Sequence, residues 1–164
     1  MLFRSFEHCE NVPREPGSEE YLYSEKYEVR HWKLARPDSL APLLTRLNHA
    51  RRENPALRQD WNLRFVPTDN PDLVCYGKFN DERSNVIVAA VSLDTRYMRS
   101  AFVELPLAEL GIDPGQPYQM EDLLSGQSFV WNGSRNYVEL NPDVCPAHVF
   151  RVRQPVRRQA PLFA

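Results

Sequence analysis

The residues best suited to chemistry in this 164-residue chain lie near its N-terminus, where Glu7, Glu10, Glu15, Glu19, Glu20, Glu25 and Glu28 punctuate an irregular stretch. Two carboxyl groups held close together can act as nucleophile and general acid/base. The spacings Glu7/Glu10 and Glu19/Glu20 raise that possibility, but acidic loops are common and usually solvated, so neither pair is read as catalytic. Ser24, Glu25, Lys26 and Tyr27 form a different kind of group. A hydroxyl, a carboxylate, an ammonium and a phenol in succession are the polar inventory that surrounds a hydroxyl-rich ligand, because charged hydrogen bonds orient it. Trp61, Tyr97, Tyr118, Trp131 and Tyr137 are aromatics on which a sugar face can stack, although core packing is the commoner fate of such residues.

Other chemistries find little support. Cys9, Cys75 and Cys145 are an odd set at wide spacings with no CxxC, which argues against a disulfide framework and for reduced thiols in the cytoplasm. His8, His31, His49 and His148 form no ligand spacing, so no metal or cofactor is expected. The net charge of −2 offers no global attraction to nucleic acid or an anionic membrane, and no apolar run is long enough to span one.

The elements that must position these residues change character along the chain. Residues 1–37 show no sustained period of 2 or 3.6 and are too long for an ordinary connection. A helix is predicted over 39–53, capped by Asp38 or Ser39, with Leu40, Leu43, Leu44 and Leu47 on one face and Pro55 as the stop. That leucine face demands a partner surface. From residue 61 short strands follow at 63–66, 73–79, 85–93, 98–105, 118–122, 129–131, 137–140 and 148–153. The run from Val86 to Val91 is almost continuously apolar, which marks a central strand covered on both faces. The pattern is that of an antiparallel β-sandwich. Arg151, Arg153, Arg157 and Arg158 read as charged residues on a solvated edge strand and the tail after it.

Several stretches, in order, resemble one enzyme family: Phe6-Glu7-x-Cys9-Glu10-Asn11, Pro16-Gly17-Ser18-Glu19-Glu20-Tyr21-Leu22, Ser24-Glu25-Lys26-Tyr27-Glu28 and Arg51-Arg52-Glu53-Asn54-Pro55-Ala56-Leu57. Asp122-Leu123-Leu124-Ser125-Gly126, Asn136-Tyr137-Val138-Glu139-Leu140 and Pro146-Ala147-His148-Val149-Phe150 continue the match. The chain is similar to the C-terminal part of the α-1,4-glucan:maltose-1-phosphate maltosyltransferases, members of the α-amylase clan of glycoside hydrolases. Tyr23 and His8 depart from that pattern.

The resemblance implies a mainly β fold, with an antiparallel β-sandwich preceded by a loop and one helix resembling the end of a (β/α)₈ barrel. Residues 1–57 would be the barrel's last strand end, loop and closing helix, residues 61–153 the sandwich, and 154–164 a tail. The reaction implied is retaining transfer of maltosyl from α-maltose 1-phosphate to an α-1,4-glucan. Its catalytic carboxylates are expected upstream of Met1, so no catalytic residue is assigned and the chain alone is expected to be inactive. Glu25, Lys26 and Tyr27 would then contact the donor sugar. A separate barrel-containing chain is a possible partner. The other reading is a stand-alone glucan-binding or structural sandwich.

Overall fold

The computed structural model describes residues 12–22, 29 and 36–154. The chain divides into two compact units, Met1–Asn48 and His49–Ala164.

Helix α1 (Ala41–Glu53) begins where Ser39 Oγ accepts the backbone N–H of Ala41 at 3.2 Å. Ser39 thus satisfies one of the helix's first backbone N–H groups. Asp38, the other candidate, receives the Arg36 guanidinium in a two-pronged ion pair at 3.0 and 2.5 Å. Arg51 and Arg52 occupy the last turn, where cations favour the helix dipole. Along the apolar stripe, Ala50 is buried, Leu43 and Leu44 are half-buried and Leu47 is exposed.

After the helix, asparagine side chains supply the missing hydrogen bonds of an irregular segment. Asn54, fully buried, donates to the Ala50 carbonyl at 2.8 Å and accepts from Asn85 Nδ2 at 2.9 Å. Asn85 Oδ1 in turn accepts the Ala56 N–H at 3.0 Å. Asn62 Nδ2 donates to the carbonyls of Ala56 and Phe79. These bonds fix the 3₁₀ turn Pro55–Arg58, which packs against the strands Leu73–Phe79 and Val86–Ser92.

The alternating runs become eight strands: β1 (Leu63–Val66), β2 (Leu73–Phe79), β3 (Val86–Ser92), β4 (Arg99–Glu104), β5 (Tyr118–Asp122), β6 (Ser128–Trp131), β7 (Arg135–Leu140) and β8 (Ala147–Arg153). A short helix, α2 (Leu107–Leu110), separates β4 from β5. All pairings are antiparallel. Six strands form one sheet in the order β1-β2-β3-β8-β5-β6, and β4 pairs with β7 as a second layer. β3 is central and buried over Val86–Ala90, as its apolar run requires. Val86, Val88 and Ala90 enter the core between the layers; the intervening Ile87 and Ala89 are buried outside that cluster, on a strand whose neighbours include the 3₁₀ turn.

The inter-sheet core joins Cys75, Val88, Met120 and Phe150 to Val103, Val138 and Leu140 of the smaller layer. Leu110 of α2 covers Gly77, where a Cβ would meet Leu110 Cδ2 at 3.0 Å, so glycine is what lets α2 approach β2. Gly111 closes α2 in the left-handed conformation (φ 70°).

One expectation is overturned. The arginine-bearing strand β8 is not an edge; it lies between β3 and β5. Its charges are tolerated there because Arg151 grips Glu121 of β5 with both guanidinium nitrogens at 2.9–3.1 Å, and Arg153 adds a bond at 3.1 Å. The Arg151 hydrogen bond holds the Glu121 carboxyl below the usual range, against partial burial. Arg157 and Arg158 lie outside the described residues.

Candidate functional site

Glu25, Lys26 and Tyr27, the residues expected to contact sugar, lie outside the described residues, as do Glu7 and Glu10. The segment just before them is a closed hairpin. Pro13 and Tyr21 form an antiparallel bridge, Leu22 N–H donates to the Val12 carbonyl at 2.7 Å, and Gly17 (φ 84°) makes the turn. Glu20 is ion-paired with Arg14 at 3.1 Å, so the Glu19/Glu20 spacing does not yield two free carboxylates.

The aromatics separate by environment. Trp61, Tyr97 and Tyr137 are exposed, but Tyr118 and Trp131 are core residues at 2% and 7% exposure. The Tyr118 hydroxyl donates to the Gly133 carbonyl at 2.7 Å and accepts from Asn136 at 3.1 Å. Its burial pushes the phenol up to about 12. Burial does the same to the Cys75 thiol, also about 12, which makes it unreactive. Cys75 and Cys145 are both free. Among the described residues no cluster fits a metal ion and no helix is long and apolar enough to cross a membrane.

Polar chemistry concentrates at one end of the six-stranded sheet, around a residue the sequence reading passed over. Asp122 closes β5 with its side chain only 1% exposed. Its Oδ1 accepts the backbone N–H groups of Leu124 and Val149, both at 3.2 Å. Its Oδ2 accepts the Ser125 N–H at 3.3 Å, the Ser125 hydroxyl at 2.6 Å and His148 Nδ1 at 3.0 Å. Burial alone would raise this carboxyl, but the bonds from His148, Ser125 and the two backbone amides outweigh it and hold it at about 2. It is therefore ionised at neutral pH and can only accept, which places the shared proton on His148 Nδ1 and points Nε2 elsewhere.

This is not a nucleophile triad. Such a triad needs the imidazole between serine and carboxylate, whereas here Ser125 and His148 both donate to Asp122 Oδ2. The arrangement fixes a turn and a ring orientation. The His148 ring stacks on Phe150 (4.9 Å, 23°) and meets the edge of Phe129 at 6.1 Å.

His148 also lines a cleft of about 470 Å³. The cleft follows from the strand count. Neighbouring strands lie about 4.8 Å apart, so six span about 24 Å and two only about 5 Å. The β4-β7 layer cannot cover the whole inner face of the larger sheet. α2 packs over β2, and the cleft opens beside β6 and β8 where Phe129 and His148 remain partly accessible. Phe129 and Phe150 form one wall of the cleft, with Tyr137 and Val144 on the side of β7 and its following loop. The signals for it in the sequence are the Asp122-x-x-Ser125-Gly126 turn, aromatics two residues apart on β6, and Phe150 two residues after His148 on β8.

Comparison with known proteins bears on family and fold. The family model described as "GLGE, C-terminal" matches residues 65–152, the span of the sandwich. The α-1,4-glucan:maltose-1-phosphate maltosyltransferase 1 of Streptomyces coelicolor is 43% identical over 162 residues, covering 96% of this chain and 24% of the relative. The maltosyltransferase of Chlorobaculum tepidum is 41% identical over 157 residues, covering 92% and 23%. The chain thus spans about a quarter of the length of these curated relatives. Among solved structures, an α-amylase from Anoxybacillus superposes with a TM-score of 0.56 at 13% identity, over 77% of this chain and 25% of that one. A noncanonic maltogenic α-amylase from Thermotoga neapolitana gives 0.51 at 12% identity, over 67% and 24%. At those identities the likeness speaks to fold, a mainly β, amylase-type sandwich.

Proposed function

Since this chain belongs to the GLGE C-terminal family, we propose that it works as the C-terminal part of an α-1,4-glucan:maltose-1-phosphate maltosyltransferase. The observation that carries this reading is sequence identity of 41–43% to two such enzymes, running through the segment that holds Ser24, Glu25, Lys26 and Tyr27 as well as the sandwich.

In that role the protein transfers maltosyl from α-maltose 1-phosphate to an α-1,4-glucan, and its natural setting is the cytoplasm. Retention of configuration requires two carboxyl groups roughly 5–5.5 Å apart, one attacking the anomeric carbon and one protonating the leaving oxygen. Those groups belong to the three-quarters of such an enzyme that these residues do not span. The contribution of residues 1–57 is to line the donor pocket, with Glu25 accepting from maltosyl hydroxyls, Lys26 donating to them and Tyr27 beside them. Residues 61–153 form the supporting sandwich.

The test uses a chimera in which these 164 residues replace the matching segment of the Streptomyces coelicolor relative. A hydrogen bond to a charged group contributes about 1.5–3 kcal/mol, so Glu25→Ala or Lys26→Ala should each lower kcat/KM for α-maltose 1-phosphate by roughly 10- to 100-fold. Tyr97→Ala, on the sandwich, should leave it unchanged. Full activity in both pocket variants would remove Glu25 and Lys26 from the donor site.

A further inference from the structure

We infer that the free edge of β7 is a vacant strand position, a docking edge for an extended segment of a partner polypeptide with apolar residues at alternate positions and a basic residue beside Glu139. In an antiparallel ladder, successive residues direct their N–H and C=O groups alternately toward one neighbour and away from it. The phase of the β4-β7 ladder is fixed from both sides. Leu105 N–H donates to the Ser134 carbonyl at 2.9 Å, extending the ladder beyond the strand ends. Phe102 and Glu104 therefore face away from β7. Phe102 donates to Asp69 Oδ1 at 2.8 Å and accepts the Asp69 N–H at 3.3 Å, while Glu104 donates to the Pro67 carbonyl at 3.0 Å. These bonds close the outer edge of β4. Tyr137, opposite Phe102, and Glu139, opposite Ser100, turn their main chain away from β4 in the same way. Among the described residues no group meets those N–H and C=O groups.

The cleft lies where the missing strand belongs. β7 packs over β3, so a strand about 4.8 Å further along the smaller layer lies over β8, the next strand of the larger sheet. There the inward side chains of His148 and Phe150 on β8 and Phe129 on β6 line the cleft. The Tyr137 and Glu139 side chains take no part in this floor. They alternate with the core-facing Val138 and Leu140, and Tyr137 packs on Phe102 at 5.5 Å on the outer face. What β7 offers the cleft is thus its main chain. Unpaired amides beside an apolar floor are the arrangement by which a sheet takes in one more strand. Main-chain hydrogen bonds supply affinity, and the floor selects every second side chain.

Charge and sterics choose the occupant. Arg135 is drawn aside, with its guanidinium 3.6 Å from the Phe102 ring centroid and 3.3 Å from Asp69. Glu139 accepts the Tyr137 hydroxyl but has no cationic partner among the described residues, and the cleft lining contains neither Lys nor Arg. An antiparallel segment therefore sets a lysine or arginine opposite Glu139. Its residues opposite Val138 and Asn136 point inward and are apolar, resting on Phe129 and Phe150. A second copy of the chain does not fit. Two β7 strands paired about a twofold axis would force the β8, β5 and β6 strands of both copies into one layer, because the larger sheet extends past β7. The edge and its floor lie wholly within the unit His49–Ala164.

The experiment is an NMR titration of the whole 164-residue chain with an end-blocked lysine-valine-threonine-valine-threonine peptide. Saturable shifts of the Tyr137 and Glu139 amides and of the His148 ring are expected, with slower hydrogen exchange at both amides. Proline in place of the central threonine removes the N–H that meets the Tyr137 carbonyl and should weaken binding roughly tenfold. On the protein side, Tyr137→Pro deletes an edge donor that the β4 ladder does not use and should weaken binding roughly fivefold. Glu139→Lys, at an exposed position, should weaken the lysine peptide roughly threefold and favour its glutamate counterpart. Melting temperatures check both folds, and if Tyr137→Pro unfolds, the reversed preference of Glu139→Lys decides. No saturable shift, equal binding of the proline peptide, or unchanged preference in Glu139→Lys would overturn the site. So would Tyr137 and Glu139 amides already protected in the free chain, whether by its own residues or by a dimer seen in sedimentation.

Discussion

Asp122→Ala is expected to destabilise the sandwich by about 3 kcal/mol at neutral pH, because it strands several donors at once. Leu124 and Val149 N–H, Ser125 N–H and hydroxyl, and His148 Nδ1 all converge on this one carboxylate. A buried donor left unsatisfied costs about 1–3 kcal/mol. Water entering from the neighbouring cleft relieves part of the loss, so the total stays well below the sum. The effect should depend on pH. The folded carboxyl sits at about 2, below an unfolded value of about 3.9. A depressed pKa contributes stability that is fully present above the unfolded value and is lost as pH falls through the folded one. The wild-type advantage over Asp122→Ala should therefore hold above pH ~5 and shrink by about 2 kcal/mol toward pH ~2. Taking the difference between the two proteins cancels Asp94 and Glu121, whose carboxyls are also held low. Urea unfolding at several pH values reads this out. Parallel pH profiles for the two proteins would contradict the assignment of Asp122 as the ionised hub.

Phe150→Ala should cost about 3–5 kcal/mol, the range for deleting a fully buried aromatic. Phe150 is 2% exposed and pairs with Val88 on β3 and Asp122 on β5, at the centre of the larger sheet. Its ring contacts Trp131 at 5.4 Å, Phe129 at 5.9 Å and His148 at 4.9 Å. Removing it takes away the surface against which three rings pack and opens the floor of the cleft. Phe129→Ala, on the exposed rim, should cost only about 1 kcal/mol. A difference of less than 1 kcal/mol between the two variants in chemical unfolding would mean that the aromatic cluster does not hold the sheet together.

Strand placement was legible because the punctuation is local. Proline, asparagine and glycine break the chain between runs whose period is 2, and the run at 86–91 announced its central position by being apolar at nearly every residue. Long-range pairing was not legible. The arginines of β8 suggested an edge, since a single strand's charges cannot reveal that Glu121, 30 residues away, will lie beside Arg151. The aromatics failed to sort for the same reason: Trp131 and Tyr137 look alike in sequence, and the face of its strand that each occupies decides which is buried. Asp122 and His148 were invisible as a pair, being 26 residues apart with no motif between them. Glu25, Lys26 and Tyr27 came from the family resemblance and not from any periodicity, and they lie outside the described residues.

The most direct test is phosphate release from α-maltose 1-phosphate with a maltooligosaccharide acceptor, measured for the chain alone and for the chimera with the Streptomyces coelicolor relative. If this chain works as the C-terminal part of a maltosyltransferase, the 164 residues alone release no phosphate and the chimera turns over within about tenfold of the parent enzyme, a difference of about 1.4 kcal/mol in the barrier. A folded chimera without turnover, or phosphate release by the chain alone, would contradict it.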